Sequence, residues 1–264
     1  MRKFFILLFM MCLTIPCFGG VEFDGSASAG DDYLNCGSDS SLDSMCNGGC
    51  SISVWVYPDS TGEGGFGKVI SKATSASVGW EFQAVNTTKV AFAHTWTTSG
   101  ANRNSADGVL SLSAWQNYVV TYDGSADHTN IHIYKDCTEV DYTGGFSSDG
   151  SGAINPQTAE DVLIGNRVNN NRTFDGKVDQ LYLFKHTGGS VLSSQSIQQL
   201  CKSRERGIAY QIPDFQEGWE LDECGNGATC TGTGQFKAMV KPSTNNCTAN
   251  NSPVGRAGQI SSYP

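Results

Sequence analysis

Short runs of alternating apolar and polar residues, separated by glycine-, serine- and aspartate-rich turns, dominate the chain. Residues 51–57 set Ile52, Val54 and Val56 against Trp55 and Tyr57, and comparable runs fall at 68–72, 80–85, 89–96, 115–122 and 130–134. A period of two places successive side chains on opposite faces, so each run predicts a strand with one face on a core. Residues 161–203 are the most informative stretch. Val162, Leu163 and Ile164 form a short strand that stops at Gly165, an Asn-rich loop follows, and 177–185 alternates again. That last run places Val178, Gln180, Tyr182 and Phe184 on one face and Asp179, Leu181 and Leu183 on the other.

Only one segment has a helical pattern. Ser193 is an N-cap candidate, Leu192 and Ile197 have the spacing of a hydrophobic staple, and Ile197, Leu200 and Cys201 share a helical face. Many short strands and one short helix near residues 193–204 define an all-β chain whose strand spacing favours a sandwich of two antiparallel sheets.

The N-terminus changes the compartment. Arg2 and Lys3 precede an apolar run through Ile15, and Cys17-Phe18-Gly19 supplies small residues, so 1–19 reads as a secretory signal peptide, too short to span a bilayer. Its removal takes Cys12 and Cys17 and leaves Cys36, Cys46, Cys50, Cys137, Cys201, Cys224, Cys230 and Cys247. In an oxidising compartment these read as disulfides, since no paired C-x-x-C motifs stand at zinc-like spacing. The expected pairings are Cys36 with Cys46 or Cys50, Cys137 with Cys201, and one pair among Cys224, Cys230 and Cys247.

The formal net charge is −9, and the 17 basic residues are scattered, which argues against nucleic acid as a partner. An acidic surface suits solubility, or calcium held by carboxylates and carbonyls. Residues 62–68 satisfy G-x-G-x-x-G, but Val69 stands where a P-loop needs Ser or Thr, and a strand follows where phosphate binding needs a helix. Glu220 and Asp222 would share one strand face, without the third acidic residue of a sandwich-fold glycosidase run. His94, His128, His132 and His186 form no helical ligand pair and no G-x-S-x-G elbow exists, so no catalytic residue is assigned.

Val21-Glu22-Phe23-Asp24-Gly25, then Asp31-Asp32-Tyr33-Leu34, then Ser51 to Pro58, Trp115 to Gly124, Ile131-His132-Ile133-Tyr134 and the 161–203 segment occur in an order that resembles laminin G-like domains of the concanavalin A-like superfamily. The resemblance covers roughly residues 21–203. It implies a jelly-roll sandwich of two curved antiparallel sheets, used in secreted and cell-surface proteins to bind glycans, proteins or calcium and shared by some glycoside hydrolases. The expected organisation is a signal peptide (1–19), a laminin G-like domain (20–204) and a Cys-containing extension (205–264). The extension's Trp219-Glu220-Leu221-Asp222-Glu223 resembles a segment that usually precedes the first strand of such domains. Residues 219–223 are therefore expected either to add a strand to the sandwich, as in a circular permutation, or to belong to a disulfide-clipped cover over one sheet edge. Beyond Cys230 the composition is that of an irregular segment.

Calcium is the one cofactor considered. Asp24 on the first strand and Asp179 on the last would approach one another if those strands are neighbours; the bland reading is that each accepts backbone N–H bonds. Asp31, Asp32 and Asp107 are further carboxylate candidates. For ligand recognition the candidates are Asn166, Asn169, Asn170, Asn171 and Arg172 on a loop rim, with Trp96, since amides pair with sugar hydroxyls and an aromatic face packs a sugar ring. Asn86, Asn171, Asn246 and Asn250 head N-x-S/T sequons. The function expected is a secreted noncatalytic binding or adhesion module for extracellular glycan or protein. Its alternatives are a structural surface or virion-type component and a glycoside hydrolase of the superfamily.

Overall fold

The computed structural model describes residues 19–25, 32–75, 78–203, 205–224, 227–231, 235–251 and 253–257. The expected signal peptide, through residue 18, and Asp31 lie outside them. Strands β1 (Gly19–Asp24), β2 (Tyr33–Asn35), β3 (Cys50–Pro58), β4 (Lys68–Ser75), β5 (Val78–Val85), β6 (Lys89–His94), β7 (Ala101–Asn104) and β8 (Gln116–Tyr122) come first. β9 (Ile131–Lys135), β10 (Thr138–Glu139), β11 (Ser147–Ser148), β12 (Leu163–Ile164) and β13 (Asp175–Lys185) lead to helix α1 (Ser194–Lys202). β14 (Phe215–Trp219), β15 (Thr248–Asn250) and β16 (Val254–Ala257) follow. Among the described residues no helix is long and apolar enough to cross a membrane.

The strands form two antiparallel sheets, the architecture of a jelly roll. Sheet A has the order β10-β9-β8-β3-β13-β1-β16, with β14 also on β13, and sheet B the order β11-β7-β6-β5-β4-β12-β2-β15. Alternation fills the space between them. Ile52, Val54, Val56, Tyr118 and Val120 of sheet A meet Ile70, Trp80, Phe82, Val90 and Phe92 of sheet B in one buried cluster. A second apolar cluster covers the outer face of sheet A, where Ile197 and Leu200 of α1, with Leu192, Ile208 and Ile212, pack on Val119, Tyr182 and Phe184. The Ser193 hydroxyl accepts the Ser196 N–H and so caps α1 at the end that seats it there.

The strict alternation read for 177–185 fails at one residue. Gln180 has φ 46°, and the pairing of β13 with β3 shifts register between Asp179 and Tyr182. This bulge inserts a residue, so Val178 joins Leu181 and Leu183 in the main core while Tyr182 and Phe184 face α1.

The C-terminal extension is woven into the sandwich. β14 lies beside β13 in the same row as β1, pairing with residues 181–184 where β1 pairs with 175–178. It ends at Trp219, where the sequence pattern starts a strand, because Leu221 turns the chain at φ 59°. Trp219, Leu221 and Phe236 are buried in the main core, and β15 and β16 add to β2 and β1, so the described residues beyond Cys230 are less irregular than their composition suggests.

The disulfides depart from one of the expected pairings, that of Cys36, and match the other two. Cys36 bonds Cys247, not Cys46 or Cys50, because β15 lies antiparallel to β2 and brings Thr248 opposite Asn35. Cys46 bonds Cys50 across a tight Asn-Gly-Gly turn whose Gly49 has φ 114°. Cys247 is thereby withdrawn from the tail, and Cys224 bonds Cys230. Cys137, after β9, bonds Cys201 of α1.

Candidate functional site

The helical cover lies on sheet A, and on the outer face of sheet B the residue types are set by alternation. Where Trp80, Phe82, Val90 and Phe92 point into the core, Glu81, Gln83, Ala91 and Ala93 point out. Between them lies a recess of about 110 Å³ lined by Ala73, Gly79, Glu81, Ala93, Thr95, Gly100 and Asn102. Its floor is made of small residues. Gly79 is obligatory there, since it has φ 96° and an added Cβ would lie 1.8 Å from the Lys72 carbonyl oxygen.

The recess walls are polar. Glu81 Oε1 accepts from Lys68 Nζ at 2.7 Å, and Lys68 also donates to Gln83 Oε1. Burial pulls the Lys68 ammonium below its usual pKa, with Glu81 opposing that shift. Glu81 Oε2 is buried and has no hydrogen-bond partner among the described residues. Asn102 Nδ2 donates to the Gly100 carbonyl at 3.1 Å and to Ser148 Oγ at 3.0 Å. The Thr95 hydroxyl donates to the Gly79 carbonyl at 2.9 Å.

The Asn-rich loop after β12 borders this face at the end where β4 begins, with Lys68 bridged to Thr173. Its asparagines separate into two roles. Asn166 is fully buried: Oδ1 accepts the N–H of Arg167 at 2.8 Å and of Arg172 at 3.1 Å, and Nδ2 donates to Thr173 Oγ1 at 2.9 Å. It closes the loop and cannot be a recognition residue, a correction to the sequence reading. Asn170 makes the turn at φ 47°, its N–H donating to the Arg167 carbonyl. Asn169 and Asn171 are exposed, and Asn171 Oδ1 accepts from Arg167 Nε at 2.8 Å. The Arg172 guanidinium sits 5.7 Å from the centre of the Phe66 ring.

Trp96 does not join this rim. The loop lies level with the start of β6 at Lys89, opposite Val85, whereas Trp96 follows the far end of that strand. There it bridges to Ile154 and packs partly buried on the core.

The two carboxylates considered for calcium also stay apart. β1 and β13 are neighbours, but Asp24 faces Asp175, and Asp179 lies four residues further along β13, roughly 13 Å away at strand spacing. Asp179 is 4% exposed, and its Oδ1 accepts the Gln180 N–H at the bulge. Around Asp24, burial raises the pKa of Asp175, and Asp59, Asp24 and Glu22 raise it further. Asp32 is buried, and Asp107 is engaged by Lys89 at 2.8 Å and by Thr87. Asp127, His128 and Asp149 bring ligand-type atoms within 4.8 Å of one another, a set scattered in sequence and exposed. His128 Nδ1 and Asp149 Oδ1 there already face each other at 2.6 Å.

A laminin G family model of the concanavalin A-like lectin/glucanases superfamily matches residues 28–198. The chain belongs to this superfamily. Among solved structures, a heptameric SAP-like pentraxin from Limulus polyphemus is similar with TM-score 0.53 and 10% identity, covering 93% of this chain and 97% of the pentraxin. A structure from Bacteroides ovatus, described as a candidate carbohydrate-binding protein, is similar with TM-score 0.58 and 12% identity, covering 92% of this chain and 61% of the other. At such identities the likeness is one of fold. No curated protein matches the chain.

Elsewhere on this concanavalin A-like sandwich, Ser51, His186 and Asp214 come together. Ser51 Oγ lies 2.9 Å from His186 Nε2, and His186 Nδ1 lies 2.9 Å from Asp214 Oδ2. The Ser51 hydroxyl is buried beneath the cover of sheet A, so this Ser-His-Asp chain ties β3 to the turn before β14. Three residues from distant parts of the sequence compose it, and no local motif announces it. Glu220 Oε1 accepts from the Tyr182 hydroxyl and the Gly207 N–H, both at 2.9 Å, while Asp222 pairs with Arg206. Glu220 and Asp222 thus face different partners and do not form the pair on one strand that the sequence suggested.

Proposed function

We propose that this chain is a secreted, noncatalytic lectin-like module that binds glycan at the recess on the outer face of sheet B. The observation that carries the reading is the recess itself, whose lining sets the Glu81 carboxylate, held on one oxygen by Lys68, beside Thr95 and Asn102. A sugar hydroxyl both donates and accepts, so it can pair with carboxylate, hydroxyl and amide groups of such a lining. The floor of Ala73, Gly79, Ala93 and Gly100 admits a ring, and Thr95 and Asn102 supply polar edges. Superfamily membership supports a binding module, and the disulfides support an extracellular setting. An acidic surface is unsuited to nucleic acid.

A glycan array probed with the disulfide-intact protein, with and without calcium, tests the reading. Binding is expected, and Glu81→Gln is expected to weaken it, since the substitution keeps an acceptor for Lys68 but removes the negative charge from the recess wall. A blank array in both calcium conditions overturns the proposal in favour of a structural component.

A further inference from the structure

The face described above meets the loop that follows β12 at Lys68, which reaches Glu81 of the recess, and the charges there contrast with the rest of the molecule. Basic residues are outnumbered 17 to 26 by acidic ones along the chain. Even so, Lys68, Arg167 and Arg172 lie close enough for each arginine to disfavour the lysine's charge. The loop is built to hold the two arginines side by side. The single carbonyl oxygen of the buried Asn166 side chain accepts both of their backbone N–H groups, drawing the ends of the loop together. Asn171, between them, then fixes one donor of each side chain: its Oδ1 accepts from Arg167 Nε at 2.8 Å and its backbone oxygen from Arg172 Nη1 at 2.9 Å.

A guanidinium has five N–H donors. Apart from those two contacts, neither side chain has a protein hydrogen-bond acceptor among the described residues, so both groups keep donors for an outside partner. The nearby carboxylates are partly committed, Glu81 Oε1 to Lys68 and Glu63 Oε2 to the Thr173 N–H at 3.1 Å. Phe66, 36% exposed, lies beside Arg172 and offers an aromatic surface for the apolar side of a sugar ring.

We infer that the glycan taken by this face is anionic, its carboxylate or sulfate group held between the Arg167 and Arg172 guanidinium groups. The inference rests on the reading of sheet B's outer face as a glycan site. Arginine forks match planar and tetrahedral oxyanions through two parallel bonds, and the Asn166 and Asn171 contacts order both forks before any ligand arrives.

Calorimetric titration of the full disulfide-bonded protein with a sialylated trisaccharide, a sulfated disaccharide and neutral lactose tests it. At least one of the two anionic sugars is expected to bind roughly tenfold or more tightly than lactose, with the advantage shrinking as salt is raised; which of them binds separates carboxylate from sulfate. The double variant Arg167→Gln and Arg172→Gln should lose that advantage while keeping its binding of lactose. Should that variant unfold, Arg172→Lys serves, because it keeps the charge and removes the fork. Equal affinity for the three sugars, or an anionic preference untouched by both variants, overturns the inference and leaves the recess reading standing. No binding of any sugar, together with an array blank for wild type, overturns both.

Discussion

Cys36 and Cys247 are covalently joined across a sequence separation of 211 residues, and the bond sits at the step where β15 lies against β2. It fastens the C-terminal tail to the edge of sheet B. Closing so long a loop restricts the unfolded chain far more than closing the separation of four residues between Cys46 and Cys50. Replacing Cys36 and Cys247 together by Ala should therefore cost about 5 kcal/mol, against about 2 kcal/mol for the Cys46 and Cys50 pair. Urea unfolding of the two variants side by side measures the difference, and equal losses would contradict this account.

Glu217 holds the same tail from the inside. Its fully buried carboxylate accepts the N–H groups of Val240 at 2.7 Å and Lys241 at 3.0 Å, and Asn245 Nδ2 at 2.8 Å. Asn245 in turn offers its backbone oxygen to Trp219 Nε1 at 2.9 Å. Glu217→Ala removes an acceptor from these three donors and from the Gly218 N–H, and should destabilise by about 3 kcal/mol or more. Tryptophan fluorescence should shift to the red as Trp219 gains water, and an unchanged spectrum with unchanged stability would show that the tail is held by its disulfides alone.

His94 makes the domain acid-sensitive. It is fully buried near Gln157, and burial holds its pKa down at about 4 against 6.5 in an unfolded chain. Below pH 6.5 the unfolded state takes up this proton and the folded state does not. The contribution of His94 is thus fully present above pH 6.5 and is lost as pH falls towards 4, by roughly 3 kcal/mol in all. Comparing the unfolding free energies of wild type and His94→Phe at pH 7 and pH 4.5 isolates this share. The variant should lose less stability than wild type over that interval.

The recess can be closed from its floor. Ala93 points out from β6 and lines the recess floor. Ala93→Tyr should abolish glycan binding and, because Ala93 is only 7% exposed, cost about 1–3 kcal/mol of stability. Retained binding by the folded variant would place the ligand elsewhere on the molecule.

Much of the architecture was legible in the chain because it is encoded locally. Burial of one strand face writes a period of two into residues 51–57, 80–85 and 115–122, and the end of a helix needs a hydroxyl such as that of Ser193, so strands, helix and superfamily follow from neighbouring residues. The candidate site was legible only in part. The loop at 166–172 stands out by composition, but composition does not separate Asn166, whose amide spans the loop closure inside the protein, from Asn169 and Asn171, which face water. The alanines of the outer face carry no signal at all, since small residues in strands look like ordinary core.

What the sequence determined by itself is therefore the all-β class, the order of most strands and the capped helix, each set by contacts within a few residues. The tertiary structure decided that Cys36 pairs with Cys247, that β14 shares a row with β1, that a bulge at Gln180 reverses the faces of Tyr182 and Phe184, and that Trp96 and the Asn-rich loop sit at opposite ends of one sheet. The physical reason is that pairing partners are chosen by the packing of the whole sandwich. Loop-closure entropy changes so slowly with length that distance along the chain does little to select among them.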